Sequence, residues 1–172
     1  MVILASHSTP TPVSKRILGT LILNHSSSRR IRITPLFVVG NILGMGGTAL
    51  RLQSYRTLGH LFTFELCILK NHRLVTDGPY AYVRHPSYTG LILTILGYYC
   101  THASGSWLSE CGLLQTMMGK LMLSVWSAIA GAVVSSLLLR IPGEDRILRA
   151  KFGAEWETWA EKVPYRLVPG MY

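Results

Sequence analysis

Charge is what this sequence has least of. Asp, Glu, Lys and Arg make up 15% of its 172 residues, against about 25% in an ordinary soluble domain. The deficit is concentrated. None of the four lies between Arg32 and Arg51, between Arg84 and Glu110, or between Lys120 and Arg140, windows of 18, 25 and 19 residues. A bilayer core about 30 Å thick takes roughly 17–25 residues of helix, so the missing charge excludes a small soluble domain. Acids are scarcer still: eight against seventeen Lys and Arg, for a net charge of +9. Cysteine is nearly absent. Cys67, Cys100 and Cys111 have no metal-ligand spacing, and their odd number argues against a disulfide framework. Cys100 and Cys111 flank one short loop, where a bridge requires an oxidising lumen.

What is present is apolar: 49% of residues, with a mean hydropathy of +0.32. The uncharged windows predict spans over residues 33–50, about 87–102 and about 117–139. Residues 1–32 form a basic, poorly ordered segment whose Lys15, Arg16, Arg29, Arg30 and Arg32 stand without an acid among them. No stacking aromatics are interleaved there, so the charge suits anionic headgroups rather than nucleic acid. Residues 33–172 make the membrane-embedded domain. Gly40 and Gly44 have the small-xxx-small spacing that lets another helix approach closely. The fold class is all-α: a polytopic integral membrane protein with about three transmembrane helices and a cytoplasmic cap.

Leu58, Leu61, Phe62, Leu66 and Leu69 recur at helical intervals within 51–71. Residues 71–86 must then be a loop, since Asp77-Gly78-Pro79 is a turn signal and His85 precedes a proline. In the tail, Pro142 suits a first helical turn, with Glu144 and Asp145 near that helix's N-terminus. Leu148, Phe152, Trp156, Trp159 and Val163 form an apolar stripe opposite charged residues. That helix either lies at the membrane interface or packs on the protein's own loops. Spans two and three form a hairpin, which brings residues 51–86 and 140–172 to one side. Those regions hold eleven Lys and Arg and the 103–112 loop none, so the side they share faces the cytoplasm. The first span would then put the basic N-terminus in the lumen. Either it does not cross fully or upstream helices are missing.

This topology sets His72, Tyr80, Arg84, His85 and Tyr88 against Arg140, Glu144 and Asp145. They are either interfacial anchors or a functional cluster, because ionisable residues against spans are costly. The run from Leu74 through Asp77-Gly78-Pro79-Tyr80, Arg84-His85-Pro86-Ser87-Tyr88 and Gly90 resembles the signature of isoprenylcysteine carboxyl methyltransferases. Arg140-Ile141-Pro142-Gly143-Glu144-Asp145, followed by Phe152-Gly153 and Glu155-Trp156, resembles its second half. The resemblance covers about residues 50–172. It implies S-adenosylmethionine, bound by His72, Arg73, Leu74, Val75, Tyr80, His85, Pro86, Ser87 and Tyr88, with Glu144 from the tail and Glu65 as a further contact. It also implies that Arg140 holds the substrate carboxylate and is the catalytic residue, with no metal ion.

The implied reaction is methyl esterification of the C-terminal prenylcysteine carboxylate of prenylated proteins in the endoplasmic reticulum membrane, with the active site facing the cytoplasm. An α-carboxyl, with a pKa of about 3.3–3.7, is already ionised at neutral pH, so no general base is needed. The enzyme strips water from the acceptor and aligns it, and an arginine grips it through two donors. The prenyl chain enters from the bilayer where Gly40 and Gly44 leave room. Three departures from the pattern stand out. The second acid of the usual Glu-Glu pair is Asp145, the hairpin is longer than in the shortest relatives, and the first 50 residues do not resemble the upstream helices, as in an N-terminally truncated chain. Two rivals remain. One is a phosphatidylethanolamine-type lipid-amine N-methyltransferase, against which Arg140 speaks. The other is a truncated, non-catalytic membrane protein that only packs against partners. Nothing in the sequence fixes the oligomeric state.

Overall fold

The computed structural model describes residues 32–61, 73–103, 105–110 and 112–171, with Pro12 isolated. The expected basic segment over 1–32 therefore lies almost wholly outside the described residues, as do Glu65 and His72. The described residues are helical, without strands. The helices are α1 (Pro35–Leu58), α2 (Pro86–His102), the short α3 (Trp107–Glu110), α4 (Met117–Phe152) and α5 (Ala154–Lys162). Two helices are long and apolar enough to cross a membrane, Pro35–Leu61, which includes a terminal 3-10 turn, and Met117–Phe152. Only 11% and 6% of their apolar windows is buried, as in lipid-facing helices and unlike the core helices of soluble proteins. The expected middle span is α2, 17 residues long. At 1.5 Å per residue that is about 26 Å, near the lower limit for crossing.

Chain contacts divide the protein into two units, residues 1–44 with 95–130 and residues 45–94 with 131–172. In the first unit, the Thr34 hydroxyl accepts a hydrogen bond from the Phe37 amide at 3.1 Å and caps α1. Gly40 and Gly97 bring α1 and α2 into backbone contact: a Cβ on Gly97 would lie 2.6 Å from the Gly40 carbonyl oxygen and the Gly44 nitrogen. This corrects the expectation of a lipid entry at Gly40. The place of its missing side chain is taken by Gly97 and Thr101, so the space is closed there, while a Cβ on Gly44 would meet nothing within 4 Å. Tyr98 stacks on His102 at 4.2 Å and contacts Trp126, while Tyr99 donates to Ser127 at 3.0 Å.

In the second unit the 74–85 loop lies against α5. Its buried core is Leu61, Val75, Tyr80, Trp156, Trp159 and Val163, with Leu148 and Phe152 packed on it. The tail stripe thus packs on the protein's own loop instead of lying at the interface, because the loop offers Val75 and Tyr80 as an apolar partner. The tail also differs at its start. Pro142 does not begin a helix but sits inside α4. Its ring is exposed, so the missing amide bond falls on an outer face. The break comes at Gly153, at φ +53, between α4 and α5.

Candidate functional site

The site forms where the loop meets α4. Gly78–Ala81 is a 3-10 turn, which bears out the turn expected at Asp77-Gly78-Pro79. Pro86, fully buried, opens α2 at the position where its lost N–H costs nothing. The tight corner Arg84–His85 between these elements points both side chains at Asp145. Arg84 donates to Asp145 Oδ2 at 3.0 Å, and Arg166 Nε stands 3.3 Å from the same oxygen. His85 Nε2 is 3.1 Å from Asp145 Oδ1, while Nδ1 is 3.3 Å from Glu144 Oε2. Both ring nitrogens therefore face carboxylates, and the doubly protonated imidazolium serves both. Burial pulls the His85 pKa down, but hydrogen bonds to Asp145 and Glu144 and their charges outweigh it and hold it above the ordinary value.

Glu144 is the second node. Its Oε1 accepts from Tyr88 at 2.7 Å and from Arg140 Nε at 2.6 Å. Arg140 and Glu144 are one helical turn apart on α4, so the pair is set by the helix itself. Using Nε keeps the terminal nitrogens of Arg140 out of this bond; its side chain is 31% exposed against 17% for Glu144. His85 stacks on Tyr88 with ring centroids 5.5 Å apart. Tyr80 is buried near Glu144. Burial first, then the Glu144 charge, pushes its phenol well above the usual range. Trp159 Nε1 donates to the Tyr80 carbonyl at 3.2 Å.

The structure thus brings together Tyr80, His85, Pro86, Ser87, Tyr88, Arg140 and Glu144 as the sequence predicts. Val75 and Leu74 turn into the apolar core, so their main chain is what remains for a ligand. Arg73 is exposed, and Glu65 and His72 lie outside the described residues. Four neighbours of the site have no role among those the resemblance implies. Arg84 and Asp145 were already named in the polar cluster. Tyr55, hydrogen-bonded to Ser87 and to Arg51 at 2.7 Å, is signalled by an arginine on an apolar helix, which needs a partner. Arg166 carried no sequence signal. Counting His85 as charged, Arg84, His85, Arg140 and Arg166 face Glu144 and Asp145, an excess of two positive charges that favours an anionic guest. The Glu144 carboxylate beside two phenols suits a cationic centre, and the terminal nitrogens of Arg140 suit a carboxylate. These are the two needs of a sulfonium donor and an ionised acid acceptor. Among the described residues no group of three or more His, Cys, Asp or Glu is arranged to hold a metal ion.

Comparisons with known proteins converge on one family name. Residues 40–108 match the model of the isoprenylcysteine carboxyl methyltransferase (ICMT) family. The chain is 32% identical over 127 residues to a probable protein-S-isoprenylcysteine O-methyltransferase of Oryza sativa subsp. indica, covering 73% of this chain and 57% of the relative. It is 33% identical over 122 residues to protein-S-isoprenylcysteine O-methyltransferase B of Arabidopsis thaliana, covering 69% and 52%. The cobalt-zinc-cadmium resistance protein CzcN of Cupriavidus metallidurans is 31% identical over 149 residues, covering 86% and 56%. The chain spans about half the length of the curated relatives it matches. No solved structure matches it. With both halves of the signature joined in one polar cluster and the family model matched across the loop, residues 40–108 of the chain match the isoprenylcysteine carboxyl methyltransferase family.

Proposed function

We propose that this protein methylates the C-terminal prenylcysteine carboxylate of prenylated proteins. S-adenosylmethionine, when bound, supplies the electrophilic methyl group. The observation that carries this reading is Arg140, held through Nε by Glu144 at 2.6 Å, which leaves its two terminal nitrogens out of that bond. An arginine in that pose grips a carboxylate through two donors. The accepting nitrogen of a lipid amine would gain nothing from it.

In this reading Arg140 binds and aligns the acceptor and is the catalytic residue. Glu144, Tyr80, Tyr88, His85, Pro86 and Ser87 line the cofactor side, together with Glu65, His72, Arg73 and the main chain of Leu74 and Val75. Glu144 offsets the cofactor's positive charge. Burial of the loop under α5 keeps water from the acceptor, which raises the reactivity of a carboxylate. The protein would be a multi-pass protein of the endoplasmic reticulum membrane in contact with its lipids. Three spans would include α2, and the loop and tail would form a cap facing the cytoplasm, where prenylated C-termini are presented.

The test is transfer of labelled methyl from S-adenosylmethionine to a farnesylated cysteine analogue, in membranes containing the chain. Base-labile label is expected with wild type. It should vanish with Glu144→Ala and with an analogue whose carboxylate is blocked. Label that survives the blocked carboxylate would sink the reading in favour of another acceptor.

A further inference from the structure

The loop that carries the candidate residues has one 3-10 turn and no other regular structure before α2. Its conformation must therefore be set by what it touches, and part of that contact comes from an unexpected place. After α5 the chain leaves the helix at Val163, bends from residue 166 and lies along the Arg84–Thr89 corner. The Arg84 amide donates to the Tyr165 carbonyl at 3.0 Å and the His85 amide to the Arg166 carbonyl at 2.9 Å. Thr89 Oγ1 donates to the Leu167 carbonyl at 2.6 Å, and Arg84 Nη2 to the Pro164 carbonyl at 3.1 Å. Val163 and Leu167, each 5% exposed, anchor the two ends of this strap. Arg166 ties its middle to Asp145.

We propose that Arg166, with the strap that carries it, is a positioning element of the methyl-transfer site. This rests on the function proposed above. The strap supplies acceptors to amides that no helix satisfies, and Arg166 closes the arrangement by holding Asp145. Asp145 in turn fixes Nε2 of His85, whose Nδ1 faces Glu144. Motion of the strap thus reaches the cofactor side through two side chains, and Arg166 itself touches neither reactant. Its position makes it a clean probe. It is 34% exposed, and removing it leaves Asp145 still paired with Arg84 and His85. The buried carboxylate is not stranded, which is the circumstance that makes loss of a buried ion-pair partner severe.

The experiment uses the full chain in nanodiscs, as wild type, Arg166→Ala and Arg166→Lys. Hydrogen exchange of the Arg84 and His85 amides reads the strap whether or not the protein is an enzyme. Methyl transfer to the farnesylated cysteine analogue and equilibrium binding of S-adenosylmethionine read the site. Arg166→Ala is expected to speed exchange at Arg84 and His85 about tenfold and to weaken cofactor binding about five- to tenfold. KM for the cofactor should follow the binding, with kcat changed less than twofold. Arg166→Lys should recover part of both effects. Unchanged exchange in Arg166→Ala, or faster exchange with unchanged cofactor binding, overturns the proposal while leaving the function standing. A wild type with protected amides that neither binds the cofactor nor transfers methyl overturns the function, and the positioning role with it.

Discussion

Arg140 Nε donates a 2.6 Å hydrogen bond to Glu144 Oε1 across one turn of α4, so the two terminal nitrogens of the guanidinium are left out of that bond. A side chain with five donors would otherwise sample many poses. Here one donor holds it.

The first prediction concerns the donors that remain. Arg140→Ala should raise KM for the prenylcysteine analogue and lower kcat/KM roughly 10- to 150-fold, the range for a charge-assisted hydrogen bond. Equilibrium binding of S-adenosylmethionine should stay within twofold. Arg140→Lys should recover little, because an ammonium cannot supply two parallel donors. Full activity of the lysine variant would mean that only charge matters.

Glu144 is held by three partners, so its removal and the loss of one partner should differ. Tyr88→Phe deletes one donor and should cost about 1 kcal/mol in cofactor binding, or roughly fivefold. Glu144→Gln abolishes the charge that Arg140 and His85 both face and should cost more than tenfold. Calorimetric titration of both variants gives the order, and the reverse order would remove Glu144 from the centre of the site.

His85 makes stability depend on pH. Its pKa is higher in the folded protein than its ordinary value, so the folded state binds its proton more tightly than the unfolded state does. The resulting stabilisation is fully present below about pH 6.5, the unfolded value, and is lost as pH rises through the folded value. Thermal melts from pH 6 upward should show a falling midpoint. His85→Gln should be less stable at pH 6 and should flatten the slope over the same window.

The helix contact at Gly97 gives a prediction remote from the chemistry. A methyl there would meet backbone atoms at 2.6 Å, and backbone cannot rotate aside. Gly97→Ala should cost about 1–3 kcal/mol as an overpacked contact. Gly46→Ala, with nothing within 4 Å, should be neutral or gain about 0.5–1 kcal/mol from helix entropy. Melting midpoints of the two variants in detergent test the contrast.

The sequence made the meeting of residues 80–88 with 140–145 legible, because chemistry-bearing side chains at fixed spacing survive as a pattern. It made the long apolar helices legible for the same reason, through absence of charge. It misplaced the tail. Pro142 looks like a helix start to any local rule, yet α4 runs through it, since an exposed proline leaves its lost hydrogen bond on the outside. The Trp156–Trp159 stripe has the amphipathic period of an interfacial helix, and only the position of Val75 and Tyr80 decides that it packs inward. Gly40 was read as room when it is contact, whereas a Cβ on Gly44 would meet nothing within 4 Å, and a glycine is equally silent about both. The strap was invisible for a deeper reason. Three of its four hydrogen bonds to the corner use backbone carbonyls against backbone amides or a hydroxyl, and carbonyls are common to every residue.

The strap has a consequence for how the protein is made. Arg84 and its acceptor carbonyl on Pro164 are 80 residues apart, with all of α4 and α5 between them. While the ribosome is still working through that interval, the Arg84–His85 corner has its side chains but no braces. The corner is therefore among the last parts to set, and a chain released early leaves it undocked even where every span is in the membrane.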